Sequence, residues 1–173
     1  MFWLTSKSVP LHGLDWNVSP RGLFRAPALV PLSRDHHEAL VQALWLKRLA
    51  GSATAAAAFL EFFRAELDGH MADEEDVVLP PADRFDPAGA ARIRQEHVEL
   101  RRLAASLAAG TAVAEDMAAL GRLLHDHVRY EERVFFMGVQ AALSAEALAD
   151  LETALEAHRA ARGVTAACRL SPR

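Results

Sequence analysis

The sequence HVRYEE, at residues 127–132, lies within a long apolar run and decides how the rest of the chain is interpreted. A second copy of the pattern, HMADEE, occupies residues 70–75. In each copy a histidine is followed four residues later by the first of two glutamates, which puts the imidazole and that carboxylate on one helical face. The same face is otherwise apolar, and burying an unpaired carboxylate is costly. Because the chain does this twice, the pattern indicates a cation held between helices.

Composition and charge narrow the classes of protein. With 173 residues, 51% of them hydrophobic, the chain fits one domain with a single core. Its net charge of −4 and its scattered basic residues give no attraction to phosphate backbones, so no nucleic-acid partner is predicted. The single cysteine, Cys168, cannot form an intrachain disulfide, and no stretch has the uninterrupted apolar length of a membrane span. We therefore predict a soluble cytoplasmic protein without a membrane partner.

Breaker and capping residues indicate an irregular arm followed by helices. Residues 1–31 contain four of the eight prolines and no helical period, so they are predicted to form an arm laid over the helices. Ser33 is the predicted cap of the first helix. The residues of this helix that are predicted to face inward are His37, Leu40, Val41, Leu44 and Trp45. The second helix is predicted to open near Ser52 or Thr54 and to stop by Pro80-Pro81, because proline cannot continue a helix.

The later helices are bounded by clearer signals. Asp86 followed by Pro87 is typical of a helix start and begins the third helix. The fourth helix is predicted over residues 113–143, and Ser144 caps a fifth, amphipathic helix that ends at Gly163. After the arm, no Asn-Gly or Asp-Gly turn separates alternating apolar runs, so the predicted fold class is all-α.

A second repeat relates the first helix to the third. RDHHEAL at residues 34–40 lines up with RQEHVEL at residues 94–100, and each precedes a helix that carries the histidine–glutamate pair. Steps of three and four residues from His37 reach apolar residues, whereas the same steps from His36 reach Lys47. This register predicts that His37 is the histidine that faces inward.

Six polar residues from four helices are thus predicted to meet in one core. Imidazole nitrogens combined with carboxylates suit iron or another divalent transition metal. Two carboxylates against two divalent ions leave a small positive charge that can hold an exogenous ligand. His36 and His125 remain further candidates, although His125 lies about 200° around the helix from His127. The predicted metal ligands are His37, His70, Glu74, His97, His127 and Glu131.

At these residues the sequence resembles the hemerythrin-like (HHE cation-binding) domains, and the resemblance covers residues 32–143. It implies an up-and-down antiparallel four-helix bundle around a non-haem di-iron centre, with histidines as terminal ligands and two glutamates as bridges. Residues 1–31 then form an irregular N-terminal arm, and residues 144–173 an additional C-terminal helix and tail. The resemblance rests on DHHE at residues 35–38, His70 with Glu74, EH at residues 96–97, and His127 with Glu131.

The sequence departs from the oxygen-carrying hemerythrins in two places. Arg101 stands where they have a second histidine, four residues after the one on the third helix. Glu131 follows His127 by four residues, whereas they have an aspartate at five. Both features are more similar to the bacterial sensory and regulatory HHE domains. The resemblance therefore implies a protein that binds O2, NO or related ligands at two iron ions, or at zinc or manganese, for sensing, buffering or detoxification.

Other interpretations stay open. A metal-dependent bundle enzyme or a metal-storage protein would also use inward-facing ligands, but a ferritin-like oxidase needs Glu-x-x-His, which the chain lacks. A metal-free structural or interaction bundle could pair the same residues in salt bridges, but it leaves the histidine spacing unexplained. We predict a metal-binding and ligand-binding protein in preference to a dedicated enzyme.

Overall fold

The structure is a computed structural model that describes residues 24–163, and these residues fold into helices joined by short connections. The predicted all-α class is confirmed for this part of the chain. Most of the predicted arm, together with the tail that holds Cys168, lies outside the described residues. The helices are α1 (Val30–Arg48, after a 3-10 turn at Pro27–Leu29), α2 (residues 53–82), α3 (Pro87–Ala108), α4 (residues 114–142) and α5 (Ala145–Ala161). None of them is long and apolar enough to cross a membrane.

Three of the predicted helix caps are confirmed, and one is wrong. The side chains of Ser52, Asp86 and Ser144 each accept a hydrogen bond from a backbone N–H in the first turn of their helix. Ser33 instead lies inside α1, which begins at Val30. The second residue of α1 is a proline, whose missing N–H costs nothing in a first turn, so proline and not serine marks this start.

Both α2 and α4 contain π-helical turns, in which the backbone hydrogen bonds span one residue more than in an α-helix. These turns cover Phe63–Leu67 and Glu74–Val78 in α2, and Glu131–Phe135 in α4. The prediction that Pro80-Pro81 stop the second helix is wrong, because α2 continues through Leu79–Ala82. After the wider turn, both prolines lie in the first turn of the next α-helical segment, where a missing N–H is tolerated.

Small residues line the face of α1 that packs inward. Ala39 and Ala43 are buried, whereas Leu44 and Trp45 are 38% and 44% exposed. The helix α1 lies so close to α4 that a Cβ atom added at Gly121 would come within 2.7 Å of the Ala43 carbonyl oxygen. The prediction that Leu44 and Trp45 face the core is therefore wrong. Close approach of two helix backbones selects alanine and glycine over bulkier apolar residues.

Two apolar clusters lie on either side of the polar residues in every one of the first four helices. One cluster contains Leu46 of α1 and Leu100 of α3, and the other contains Leu32 of α1 and Ile93 of α3. In α2 and α4 the first cluster comes before the polar residues and the second after them, whereas in α1 and α3 this order is reversed. The helix α5 contributes Leu155 to the second cluster. The polar residues are thus enclosed between two apolar layers.

The close approach at Gly121 predicts a stability difference between two glycines of α4. Gly121→Ala should lower the free energy of unfolding by about 1–3 kcal/mol, because the new methyl group overpacks the contact with α1. Gly138→Ala is the matched control, since Gly138 is exposed and an added Cβ meets nothing within 4 Å. It should raise stability by about 0.5–1 kcal/mol through helix propensity. Urea unfolding followed by circular dichroism measures both, and a gain at both positions would contradict the close packing.

Candidate metal centre

Four histidines and two glutamates from α1 to α4 converge between the two apolar layers. His36 and His70 form one group with Glu74 and Glu131, and the donor atoms of this group lie within 4.8 Å of one another. A second group combines the same two glutamates with two other histidines and satisfies the same limit. All six residues are at most 5% exposed, and the second pair of histidines is His97 and His127.

In the first half of the site, imidazole Nε2 atoms face the glutamate oxygens. His36 Nε2 lies 3.1 Å from Glu131 Oε2 and 3.1 Å from the Nε2 atom of His70. His70 Nε2 lies 3.5 Å from Glu74 Oε1. Each of the two glutamates therefore turns one of its oxygens towards this half.

The second half repeats the arrangement with the other two oxygens. His97 Nε2 lies 3.3 Å from Glu74 Oε2, and His127 Nε2 lies 3.2 Å from Glu131 Oε1. The rings of His97 and His127 are 4.9 Å apart between centroids, and those of the first pair are 4.8 Å apart. Both glutamates are consequently shared between two like halves, with one oxygen in each.

The donor set fits metal ions on two counts. All four oxygens of Glu74 and Glu131, and the Nε2 atoms of His97 and His127, are buried without a hydrogen-bond partner among residues 24–163. Buried polar atoms normally have partners, so these oxygens and nitrogens require a partner that accepts several of their lone pairs at once, as a metal ion does. The separations of 3.1–3.5 Å suit neighbouring ligands of one ion, because two bonds of about 2.1 Å at a right angle set their donors about 3.0 Å apart.

A ring of carboxylates surrounds the histidines and fixes their tautomer. Each histidine donates its Nδ1–H to a carboxylate on a neighbouring helix, because carboxylates only accept. Its Nε2 atom therefore faces inward and offers a lone pair to a metal ion once it carries no proton. The four bonds close a ring that runs from α1 through α2, α3 and α4 back to α1. They join His70 to Asp35 at 3.3 Å, His97 to Glu75 at 2.8 Å, His127 to Glu96 at 2.8 Å and His36 to Glu132 at 2.7 Å.

The carboxylates favour positive charge at the centre of the site. Burial lowers the pKa of His36, but the carboxylates of Glu131 and Glu132 outweigh burial and raise the pKa to about 10. Burial likewise lowers the pKa of His97, and the two adjacent glutamates of α2 raise it to about 9. The site therefore stabilises a cation, which is the charge that a divalent metal ion brings.

The structure corrects the predicted register of α1. His37 is exposed, whereas His36 is only 3% exposed and lies in the cluster, so the prediction that His37 faces inward is wrong. The cause is the close approach of Ala43 to Gly121 of α4, which turns the face with the buried Ala39 and Ala43 inward, one position away from the predicted face. His125 is not brought to the cluster and pairs with Asp126 at the surface. The other five predicted residues, from His70 to Glu131, do converge.

Sequence reasoning did not assign the carboxylates that support the histidines. Asp35 and Glu96 each precede a histidine of the cluster, and Glu75 and Glu132 each follow a glutamate of the cluster. The available signal was an acidic residue next to one histidine in each of α1 and α3, and next to one glutamate in each of α2 and α4. It becomes visible only when His36, and not His37, is aligned with the histidine of α3.

The π-helical turns of α2 and α4 begin at the two shared glutamates, Glu74 and Glu131. The histidine four residues earlier lies on the α-helical turn that precedes the wider turn, so histidine and glutamate still share one helical face. The following acids, Glu75 and Glu132, fall within the wider turn and reach helices on the other side. Single π-turns are frequent at functional sites, and these two mark the same point in both halves.

Arg101 contacts the surroundings of the site although its side chain is 34% exposed. Its guanidinium donates to Glu75 at 2.7 Å and 3.2 Å and to Asp68 at 2.8 Å. Glu75 is the carboxylate that accepts from His97. Arg101 therefore contacts the carboxylate that holds His97. It stands at the position where oxygen-carrying hemerythrins have a further histidine.

Comparison with known families agrees with this geometry. The family model described as the hemerythrin HHE cation-binding domain matches residues 29–139, which is more than half of the chain. Searches of curated proteins and of solved structures returned no match. The matched range contains all six residues of the cluster and the four carboxylates around them. The chain belongs to the hemerythrin HHE cation-binding domain family.

Proposed function

We propose that this protein holds two iron ions and binds O2, NO or a related small ligand, in order to sense, buffer or detoxify it in the cytoplasm. The observation that carries the proposal is the pair of glutamates shared between two like sets of histidines, with their oxygens buried and unpartnered among the described residues. The six residues offer four donor atoms to each ion, two nitrogens and two oxygens, which leaves positions for an exogenous ligand at an ion that takes up to six. Zinc or manganese would suit the same donors.

The proposed ligands are His36 and His70 at one position, and His97 and His127 at the other, with Glu74 and Glu131 at both. When bound, two iron ions would supply reversible ligand binding and electron transfer. The chain's part is to orient each imidazole through its Nδ1–H bond, to lower the net charge with two carboxylates, and to exclude water with the apolar layers on either side.

We also propose that α1 to α4 form an up-and-down antiparallel bundle over residues 32–143, with residues 1–31 and 144–173 as flanking segments. The reversal of the order of the two apolar clusters from each helix to the next supports this topology, since neighbouring helices then run in opposite directions. The short connections between consecutive helices favour the same arrangement.

A small cavity supports access for a small ligand to one half of the site. Its volume is about 10 Å³, and it is lined by His36 and His70 together with Asp35 and several apolar side chains. A space of this size suits a water molecule or a diatomic gas, but not an organic substrate. The small volume of this cavity favours a gas-binding role over that of a bundle enzyme that acts on larger molecules.

Metal analysis combined with a visible spectrum tests the proposal. We expect two iron ions per chain and a charge-transfer band that shifts when azide is added, because azide competes for the open positions. The control is the same protein after treatment with a strong chelator, which should lose the band and regain it on addition of iron. A protein that binds no metal under these conditions would favour a structural bundle held by core ion pairs.

A further inference from the structure

A second layer of charge lies behind the carboxylates that support the histidines. Each of the four carboxylates that accepts an Nδ1–H bond also accepts a hydrogen bond from an arginine. The four arginines balance the formal charge of the four carboxylates. Arg25 donates to Glu132 at 2.6 Å, Arg159 to Asp35 at 2.7 Å, Arg101 to Glu75 at 2.7 Å and Arg92 to Glu96 at 2.8 Å.

The four arginines divide unequally between the two halves. Arg92 and Arg101 belong to α3, within the matched residues 29–139, and they support the half that contains His97 and His127. Their side chains are 47% and 34% exposed. Water screens such pairs, so they hold their carboxylates less firmly than buried pairs do.

The other two arginines come from outside the matched range and are buried. Arg25 precedes α1 and Arg159 lies on α5, and their side chains are 6% and 8% exposed. Both support the half that contains His36 and His70. Removing one partner of a buried ion pair leaves the other charge unpaired, so these two contacts hold their carboxylates firmly.

The helix α5 forms ion pairs with two carboxylates that lie next to residues of the metal centre. Besides Asp35, Arg159 contacts Asp73, whose Oδ2 lies 2.7 Å from the guanidinium Nε. Asp73 directly precedes Glu74, is 1% exposed, and also pairs with His158 and Arg162. Docking of α5 is therefore tied to the positions of α1 and α2 beside the first half of the site.

We propose that Arg25 and Arg159 are positioning residues for the metal position of His36 and His70. Docking of the two segments that flank the family domain thereby controls how tightly this one position holds its ion. The other position draws its support from α3 and is independent of the flanking segments. This inference rests on the proposed two-metal site. Because coupling between two binding events is reciprocal, a metal at this position also stabilises the docking of α5.

The test is a cobalt(II) titration of the full-length protein, with a competing chelator that resolves two dissociation constants. Arg159→Ala should weaken one of the two sites by about tenfold, the lower end of the effect of losing a support of a metal-bound histidine, and leave the other unchanged. Glu156→Ala is the control on the same helix, because the side chain of Glu156 is exposed. It should leave both dissociation constants unchanged.

Proton NMR of the cobalt-loaded protein identifies the affected position, since cobalt(II) shifts the Nδ1–H signals of its histidine ligands. In Arg159→Ala the His70 proton should exchange with solvent faster, while those of His97 and His127 keep wild-type rates. Arg25→Ala provides a second route if Arg159→Ala does not fold, and it should act on His36 alone.

The outcomes separate this inference from the proposed function. A wild-type protein that does not bind two cobalt ions overturns both. If the wild type binds two ions, but Arg159→Ala or Arg25→Ala weakens both sites equally or neither, only the inference is overturned. An equal effect of Glu156→Ala on one site would also overturn it, because that result would reflect a general effect of changing α5 without a role for the arginine behind Asp35.

Discussion

Replacing Glu74 or Glu131 with alanine is expected to abolish binding of both metal ions while leaving the helices formed. Each carboxylate has one oxygen in either half of the site, so one substitution removes a donor from both positions. The loss of a direct ligand should weaken binding by about 100-fold or more, above the effect of losing an outer partner. Helicity should persist, because the apolar clusters on both sides of the site hold the helices together.

Elemental analysis of metal per chain and far-UV circular dichroism measure the two parts of this result. Glu156→Ala is a matched control, since Glu156 is exposed on α5 and lies outside the cluster. It should retain the wild-type metal content. Retention of two metals per chain in both the Glu74 and the Glu131 variants would show that these glutamates are not bridges.

The parts of the site that could be predicted from the sequence are those set by spacing along one helix. A histidine and a glutamate four residues apart share a helical face whatever surrounds them, so His70 with Glu74 and His127 with Glu131 were predicted together. The repeat between α1 and α3 added His97. Three caps were predictable for the same reason, since a cap depends on the residues of one turn.

The register of α1 could not be predicted from hydrophobicity, because it is decided by contact between two helices. Leu44 and Trp45 are bulky apolar residues of α1, yet they are exposed, and Ala43 packs against Gly121 of α4 instead. The sequence signal for this was the pairing of small residues on two different helices. Such a pairing has meaning only once the helices are known to be neighbours.

The ring of carboxylates and arginines could not be predicted for a similar reason. Glu75 supports a histidine of α3 and Glu132 one of α1, so each contact joins residues far apart in the sequence. The π-helical turns that begin at Glu74 and Glu131 also change the direction of the next side chain. An ideal helix places these second glutamates near solvent, whereas the wider turn brings them to a neighbouring helix.

The corrected register leads to the last prediction, which concerns the two adjacent histidines of α1. His36→Ala should lose the metal ion of its half of the site, because His36 Nε2 lies 3.1 Å from both the Glu131 carboxylate and His70 Nε2. The expected loss of affinity is about 100-fold or more for that ion, as for any direct ligand. His37→Ala should retain both ions, since its side chain is exposed.

A metal titration of the two variants gives the order of the effects, and the pair serves as its own control because both remove one imidazole from the same helix. A second ion should still bind in His36→Ala, since His97 and His127 are untouched, which distinguishes this variant from the glutamate variants. Equal losses of metal affinity in the two histidine variants would contradict the prediction, because His36 would then contribute no more to metal binding than His37. A larger loss in His37→Ala would mean that α1 is rotated by one position in the metal-bound protein, and that the contact between Ala43 and Gly121 gives way when metal binds.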